Sequence, residues 1–108
     1  MIECLNHADN AVSTQIFQVF QASYQIEADL IGVDDFPPLS RSADDIQYSQ
    51  TVFYGYLAGE ALVAVIEIKF TVGDESQLKI CSLTVDPAHF RKGMASRLIQ
   101  YVLGLHQV

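Results

Sequence analysis

From residue 51 to residue 85 the chain is written almost entirely in strand-forming residues. The runs 51 to 57 and 61 to 72 are rich in β-branched and aromatic side chains, with Ala58-Gly59-Glu60 between them as a tight turn. A second turn, Gly73-Asp74-Glu75-Ser76, leads into a third run at 77 to 85. Sequential strands joined by such short turns pair antiparallel, so this stretch predicts a three-stranded meander. The rest of the fold is built around it.

What flanks the meander is helical, apart from a short first strand expected at 2 to 6. From about Asn10 onward Val12, Ile16, Val19, Phe20 and Tyr24 fall at helical spacing. Pro37-Pro38 then predicts an extended break. Ser42 followed by Ala43-Asp44-Asp45 reads as a capping-box-like start to a short second helix ending near Tyr48, its acidic residues placed where the helix dipole favours them. The last helix begins near Lys92 or Gly93 and carries Met94, Leu98, Ile99, Val102 and Leu103 as the apolar stripe that lies on a sheet. The predicted order is β-α-α-β-β-β-α, an α+β fold.

Composition narrows the function. With 108 residues, half of them hydrophobic, the chain can build one core and not two, so residues 1 to 108 are expected to form a single domain. The longest apolar stretches, 61 to 66 and 30 to 33, are too short to cross a bilayer, and Glu3 stands where a signal peptide carries basic residues. A soluble, cytoplasmic protein with no membrane partner is expected. Cys4 and Cys81 have no zinc or redox spacing, so no metal site is encoded, and both are expected to be buried, reduced thiols. A formal charge of −7 argues against nucleic acid and suits a cationic or neutral partner.

Charge is also unevenly spread. Arg91, Lys92 and Arg97 are three of only six basic residues and imply a local anion site. Between 27 and 45 the bias reverses: Glu27, Asp29, Asp34, Asp35, Asp44 and Asp45 face Arg41 alone. Such a run is either a solvated surface or a face that draws cations.

The basic cluster lies in the segment Leu83-Thr84-Val85-Asp86-Pro87-Ala88-His89-Phe90-Arg91-Lys92-Gly93-Met94-Ala95-Ser96-Arg97-Leu98-Ile99, which reads strand, loop, helix. A basic, glycine-containing loop that opens a helix offers unpaired backbone N–H groups and the positive end of the helix dipole, a combination that binds phosphate. Gly93 lets backbone approach the anion, and Ala95 keeps the helix start unobstructed.

Val85, Pro87, Gly93 and Ala95 stand at the places of the pattern Val-x-Pro-x-x-(Gln/Arg)-x-x-Gly-x-(Gly/Ala), and on this motif the chain resembles the GNAT superfamily of N-acetyltransferases. Phe90 departs from the Gln/Arg slot, but it keeps the backbone N–H that the family turns toward phosphate, and its ring is expected to pack underneath. The upstream runs Glu27-Ala28-Asp29-Leu30-Ile31-Gly32, Asp34-Asp35-Phe36-Pro37-Pro38-Leu39 and Phe53-Tyr54-Gly55-Tyr56 look like the same branch. The resemblance implies a mixed, mostly antiparallel sheet of the acyl-CoA N-acyltransferase type. It implies acetyl-CoA or CoA as cofactor, held by Leu83, Thr84, Val85, Phe90, Arg91, Lys92, Gly93, Met94, Ala95 and Ser96. The reaction it implies is acetyl transfer to a small-molecule or peptide amine.

That reaction needs a group to take the ammonium proton, donors for the oxyanion, and often an acid for the leaving thiolate. The backbone N–H near Thr84 or Val85 is the expected oxyanion donor. Glu67 on the third strand and Glu27 or Asp34 in the loop between the first two helices are the candidate bases. Glu67 alternates with Ile66 and Ile68, so a solvent-facing strand residue is its competing reading. The family's thiolate acid is a tyrosine beyond the cofactor helix, in a strand-helix unit that has no counterpart before Val108. None of the five tyrosines at 24, 48, 54, 56 and 101 occupies such a place. His7, His89 and His106 pair with no nucleophile, and His89 reads equally as a turn residue or a cofactor contact.

Three readings follow: an N-acetyltransferase, a regulatory remnant that holds CoA without turnover, and an interaction module that has kept only the fold. A homodimer is expected, because the strand at 77 to 85 becomes an edge and the last helix leaves part of its apolar stripe uncovered.

Overall fold

The computed structural model describes residues 1–32, 37–71 and 77–106. Strand β1 (Ile2–Leu5) leads into helix α1 (Asn10–Ile31), a 3-10 turn at Pro37–Ser40 and the short helix α2 (Ala43–Gln47). Strands β2 (Val52–Ala58), β3 (Ala61–Thr71) and β4 (Gln77–Val85) follow, then a second 3-10 turn at Pro87–His89 and helix α3 (Met94–His106). The expected element order holds. The sheet runs β1-β2-β3-β4, and every pair in it is antiparallel.

Alternation along the strands divides the core between two faces. Tyr54, Ala64, Ile66 and Ile68 turn to one side, where Met94, Leu98 and Val102 of α3 pack on them. Phe53 and Val65 turn to the other and meet Ile16, Val19 and Phe20 of α1 and Ile46 of α2. The sheet is therefore covered on both sides. Within the expected α3 stripe, Met94, Leu98 and Val102 are buried, whereas Leu103 is 48% exposed.

Local chemistry sets the helix ends. The Asp9 carboxylate accepts the Ala11 N–H at 2.8 Å and starts α1. Gly32 ends it in the left-handed region at φ 71°, its N–H reaching the Ala28 carbonyl at 3.0 Å. The capping box on α2 is complete: Asp45 N–H donates to Ser42 Oγ at 3.1 Å, and Ser42 N–H donates to the Asp45 carboxylate at 2.8 Å.

Three sequence expectations change. Glu27 and Asp29 belong to the last turns of α1 rather than to a loop, because the helix runs on to Ile31. Asp34 and the turn at 73–76 lie outside the described residues. Pro37-Pro38 forms a 3-10 turn instead of an extended break, since the φ that proline imposes also suits that turn. Both cysteines are free and exposed. Cys4 lies on an edge strand, and Cys81 has no counterpart on β3 where the register shifts, so neither is drawn under a helix.

Candidate functional site

A cavity of about 590 Å³ opens along the outer edge of β4. Leu83 and Val85 form its floor, the segment from His89 to Ser96 forms one wall, and Ser23, Ile26, Glu27 and Leu30 of α1 form the other. Two elements far apart in sequence thus enclose one space of the size that small-molecule sites take.

The wall after β4 is built by its sequence. Asp86 accepts the Ala88 N–H at 2.9 Å and turns the chain at Pro87. Arg91 and Gly93 then both adopt left-handed backbone, at φ 65° and φ 75°. Glycine takes this region freely; a non-glycine residue there stores strain of the kind found at functional loops. A Cβ placed on Gly93 would meet no heavy atom within 4 Å, so the space beside it is open. The first intrahelical bond of α3 runs from Arg97 N to Gly93 O at 3.1 Å. The N–H groups of Met94, Ala95 and Ser96 precede it and face no helical acceptor, and the positive end of the helix dipole adds to them.

The floor follows from the strand register. Asp86 N donates to Val63 O at 2.8 Å, and the next register pairs are Ala64 with Val85, Val65 with Thr84 and Ile66 with Leu83. Antiparallel bonds alternate, so Thr84 spends its main-chain groups on Val65 while Leu83 and Val85 turn theirs to the outer edge. Thr84, expected with its neighbours in the site, does not line the cavity. Its side chain is 2% exposed, and its Oγ1 is buried without a hydrogen-bond partner among the described residues.

Phe90 also differs from expectation. Its N–H donates to Pro87 O over a long 3.4 Å, and its ring is 43% exposed at the cavity instead of packed beneath the loop. Arg91 and Lys92 line the cavity, but Arg97 does not: its Nη1 donates to the Tyr56 hydroxyl at 3.0 Å. His89 lines the cavity too, with Nδ1 buried and unpartnered among the described residues.

The two candidate carboxylates among the described residues part company. Glu27 is exposed and lines the cavity. Glu67 is not a solvent-facing residue: it is 3% exposed, on the face of β3 that α1 covers. Its Oε1 accepts from Arg41 Nη1 at 2.7 Å and Ser82 Oγ at 2.8 Å, and its Oε2 from Arg41 Nη2 at 2.9 Å and Thr51 Oγ1 at 2.6 Å. Burial alone would push this carboxyl up, but the bonds from Arg41, Thr51 and Ser82 and the guanidinium charge together hold it below the usual carboxylate range. A carboxylate held so is a poor base. Burial raises the Tyr24 hydroxyl nearby, with the charges of Glu27 and Glu67 adding to it.

Apart from Glu27, the α1 wall is what sequence reasoning missed. Ser23, Ile26, Glu27 and Leu30 recur at helical spacing, and Leu30 is an apolar side chain left 80% exposed. Carrying the α1 stripe past Tyr24 exposes this second face.

Comparison with known proteins agrees with the fold. Three solved structures share it over 97% of the chain: a possible acetyltransferase from Clostridium difficile 630 (19% identity, TM-score 0.71), the PaiA N-acetyltransferase of Thermoplasma acidophilum in complex with coenzyme A (14%, 0.73), and an aminoglycoside acetyltransferase from an uncultured soil metagenomic sample (18%, 0.68). The chain covers 69%, 71% and 70% of those three chains. The UPF0157 protein YqkA of Bacillus subtilis (strain 168) is 36% identical over 103 residues, which is 95% of this chain and 29% of that protein's length. The family model described as Acetyltransferase (GNAT) family matches residues 14–106. On this match, which takes in both the α1 wall and the β4-to-α3 wall of the cavity, the chain belongs to the GNAT acetyltransferase family.

Proposed function

We propose that the chain binds acetyl-CoA along β4 and supports transfer of its acetyl group to an amine. One observation carries this reading: a single cavity joins outward-facing main-chain groups of Leu83 and Val85 to the unpaired N–H groups that open α3. An extended amide-bearing arm and a pyrophosphate, linked as in CoA, match those two donor sets in that order. Arg91 and Lys92 supply positive charge at the phosphate end, and the open space beside Gly93 admits an anion against the backbone. Phe90, Met94, Ala95 and Ser96 complete that wall.

Bound acetyl-CoA supplies an activated thioester. The chain's own part is to orient it: Val85, rather than Thr84, has an N–H free to stabilise charge at the carbonyl oxygen. Glu27, the candidate carboxylate that lines the cavity, is the group proposed to take the proton from the acceptor amine. Glu67 serves structure, since its four hydrogen bonds leave it no vacant position for a proton. With Glu27 and Asp29 on the α1 side, the acceptor is cationic or neutral, a small-molecule or peptide amine. Two exposed free thiols suit a reducing compartment, and we place the protein in the cytoplasm.

Self-association takes a restricted form in this reading. The outer edge of β4 cannot both pair with a second copy and hold a ligand, so a dimer would meet through α3, where Leu103 and Leu105 are exposed. Sedimentation equilibrium giving a monomer mass at every concentration removes it.

The test of function is calorimetric titration with CoA, followed by an acetyl-transfer assay across polyamines, aminoglycosides, peptide amines and acidic amines. No heat of binding from CoA overturns the cofactor reading, and a preference for acidic amines overturns the acceptor reading.

A further inference from the structure

Along β3 and β4, Glu67 pairs with Ser82, but the next pair is Ile68 with Ile80. Cys81 therefore has no counterpart, and β4 carries a bulge two residues before Leu83, where the strand begins to line the cavity. A bulge interrupts the ladder, bends its strand and increases the twist. The direction of the strand beyond it depends on what holds the first residue after the break.

That residue is Ser82: its Oγ donates to Glu67 Oε1 at 2.8 Å, and its side chain also shares a hydrogen bond with Tyr24 of α1. Glu67 is an unusually fixed acceptor. Arg41, from the segment ahead of α2, grips both its oxygens, and Thr51, just ahead of β2, takes a further position on Oε2. Arg41 is itself laid against the Phe20 and Phe53 rings, with centroids 5.7 and 5.8 Å from its Cζ. One buried carboxylate thus joins four separate segments, and the bulge of β4 is among them. Hydrogen bonds to a charged acceptor are shorter and stronger than neutral ones, which suits a single hydroxyl to the task.

We propose that Ser82, through its hydrogen bond to Glu67, is the positioning residue that aims the end of β4 along the cavity. Leu83 and Val85 present their main-chain groups to the cavity only while Thr84 stays paired with Val65, and the pin at Ser82, between the bulge and Thr84, fixes that register. Ser82 touches no ligand in this scheme. The proposal rests on the CoA reading only for its second measurement.

The experiment uses the full chain with Ser82→Ala and Ser82→Thr, the second keeping a hydroxyl at the same place. Amide hydrogen exchange resolved by NMR is read first at Thr84, with the amides of β2 as the internal reference. Loss of one bond of this class corresponds to a factor of about ten, so Thr84 exchange rises about tenfold in Ser82→Ala, β2 is unchanged, and Ser82→Thr restores protection. Unchanged Thr84 exchange overturns the proposal. So does a rise spread evenly over β2 and β3, which is general destabilisation. The second reading is the dissociation constant for CoA, expected to weaken about tenfold in Ser82→Ala and to recover in Ser82→Thr. Exchange that responds while affinity does not also overturns the role in aiming the strand. If the wild-type chain binds no CoA, the reading of the cavity fails, and exchange at Thr84 alone decides the pin.

Discussion

Arg41 and Glu67, 26 positions apart, form a two-bond ion pair at 2.7 and 2.9 Å, with the carboxylate nearly sealed from water and the guanidinium 29% exposed. Burying such a pair is costly, and removing one partner costs more than the pair contributes, because the other is left uncompensated. Arg41→Ala strands the buried member and also removes packing from Phe20 and Phe53, so it is expected to lower stability by about 3 kcal/mol. Glu67→Gln strands the member that reaches water and should cost about 2 kcal/mol, since a partly exposed charge is screened. Urea unfolding of the two variants measures both, and the reverse order would show that the guanidinium is the less tolerant partner.

The same pair sets a pH dependence. The Glu67 carboxyl titrates lower in the folded chain than in the unfolded one, so between the two values the unfolded state binds the extra proton. Its contribution is therefore fully present above the unfolded value, about 4.3, and fades as pH falls through the depressed folded value. Arg41 stays charged and Tyr24 stays neutral across this window, because both groups ordinarily titrate far above it and are displaced further upward here. Asp45 is also held low, first by its bond from the Ser42 backbone, and shares the window. Comparing wild type with Glu67→Gln subtracts Asp45: the stability gap should be constant from pH 7 to 5 and shrink below about pH 4.3. A gap that widens on acidification contradicts the assignment.

Gly93 separates backbone strain from ligand repulsion. Its φ of 75° disfavours any side chain, yet no heavy atom would touch an added Cβ. Gly93→Ala is thus expected to cost about 1 kcal/mol of stability. Gly93→Asp adds a negative charge beside the proposed phosphate position and should weaken CoA at least tenfold beyond the alanine variant, a difference of about 1.4 kcal/mol. Equal affinities for the two variants would remove phosphate from this wall.

The α3 stripe is unequal in burial and should be unequal in energy. Leu98 is 0% exposed among Tyr54, Ile66 and Ile68, so Leu98→Ala is expected to destabilise by about 3 kcal/mol through lost transfer energy and the cavity left behind. Leu103, 48% exposed, should cost less than about 1 kcal/mol on the same change. Thermal unfolding at low concentration distinguishes them, and a large loss at Leu103 in a dilute sample would place that side chain in a packed contact.

The sequence by itself determined the order of the elements and the course of the wall that leads from β4 into α3, because their signals are local. Strand runs, tight turns, the Ser42–Asp45 cap and the helix opened by Gly93 each depend on residues a few positions apart, and backbone chemistry fixes their form without reference to the rest of the chain. Only the tertiary structure decided the fate of Glu67, Thr84 and Glu27. Alternation along β3 assigns Glu67 to one face, but whether that face is wet depends on α1 and α2 packing over it. Once it is covered, a carboxylate there must find partners, and they come from residues 41, 51 and 82. Thr84 turns its main chain inward because the β3–β4 register, set across the Cys81 bulge, pairs it with Val65. Glu27 reaches the cavity because α1 runs to Ile31 and lies beside β4, a contact between segments more than fifty positions apart that no local periodicity encodes.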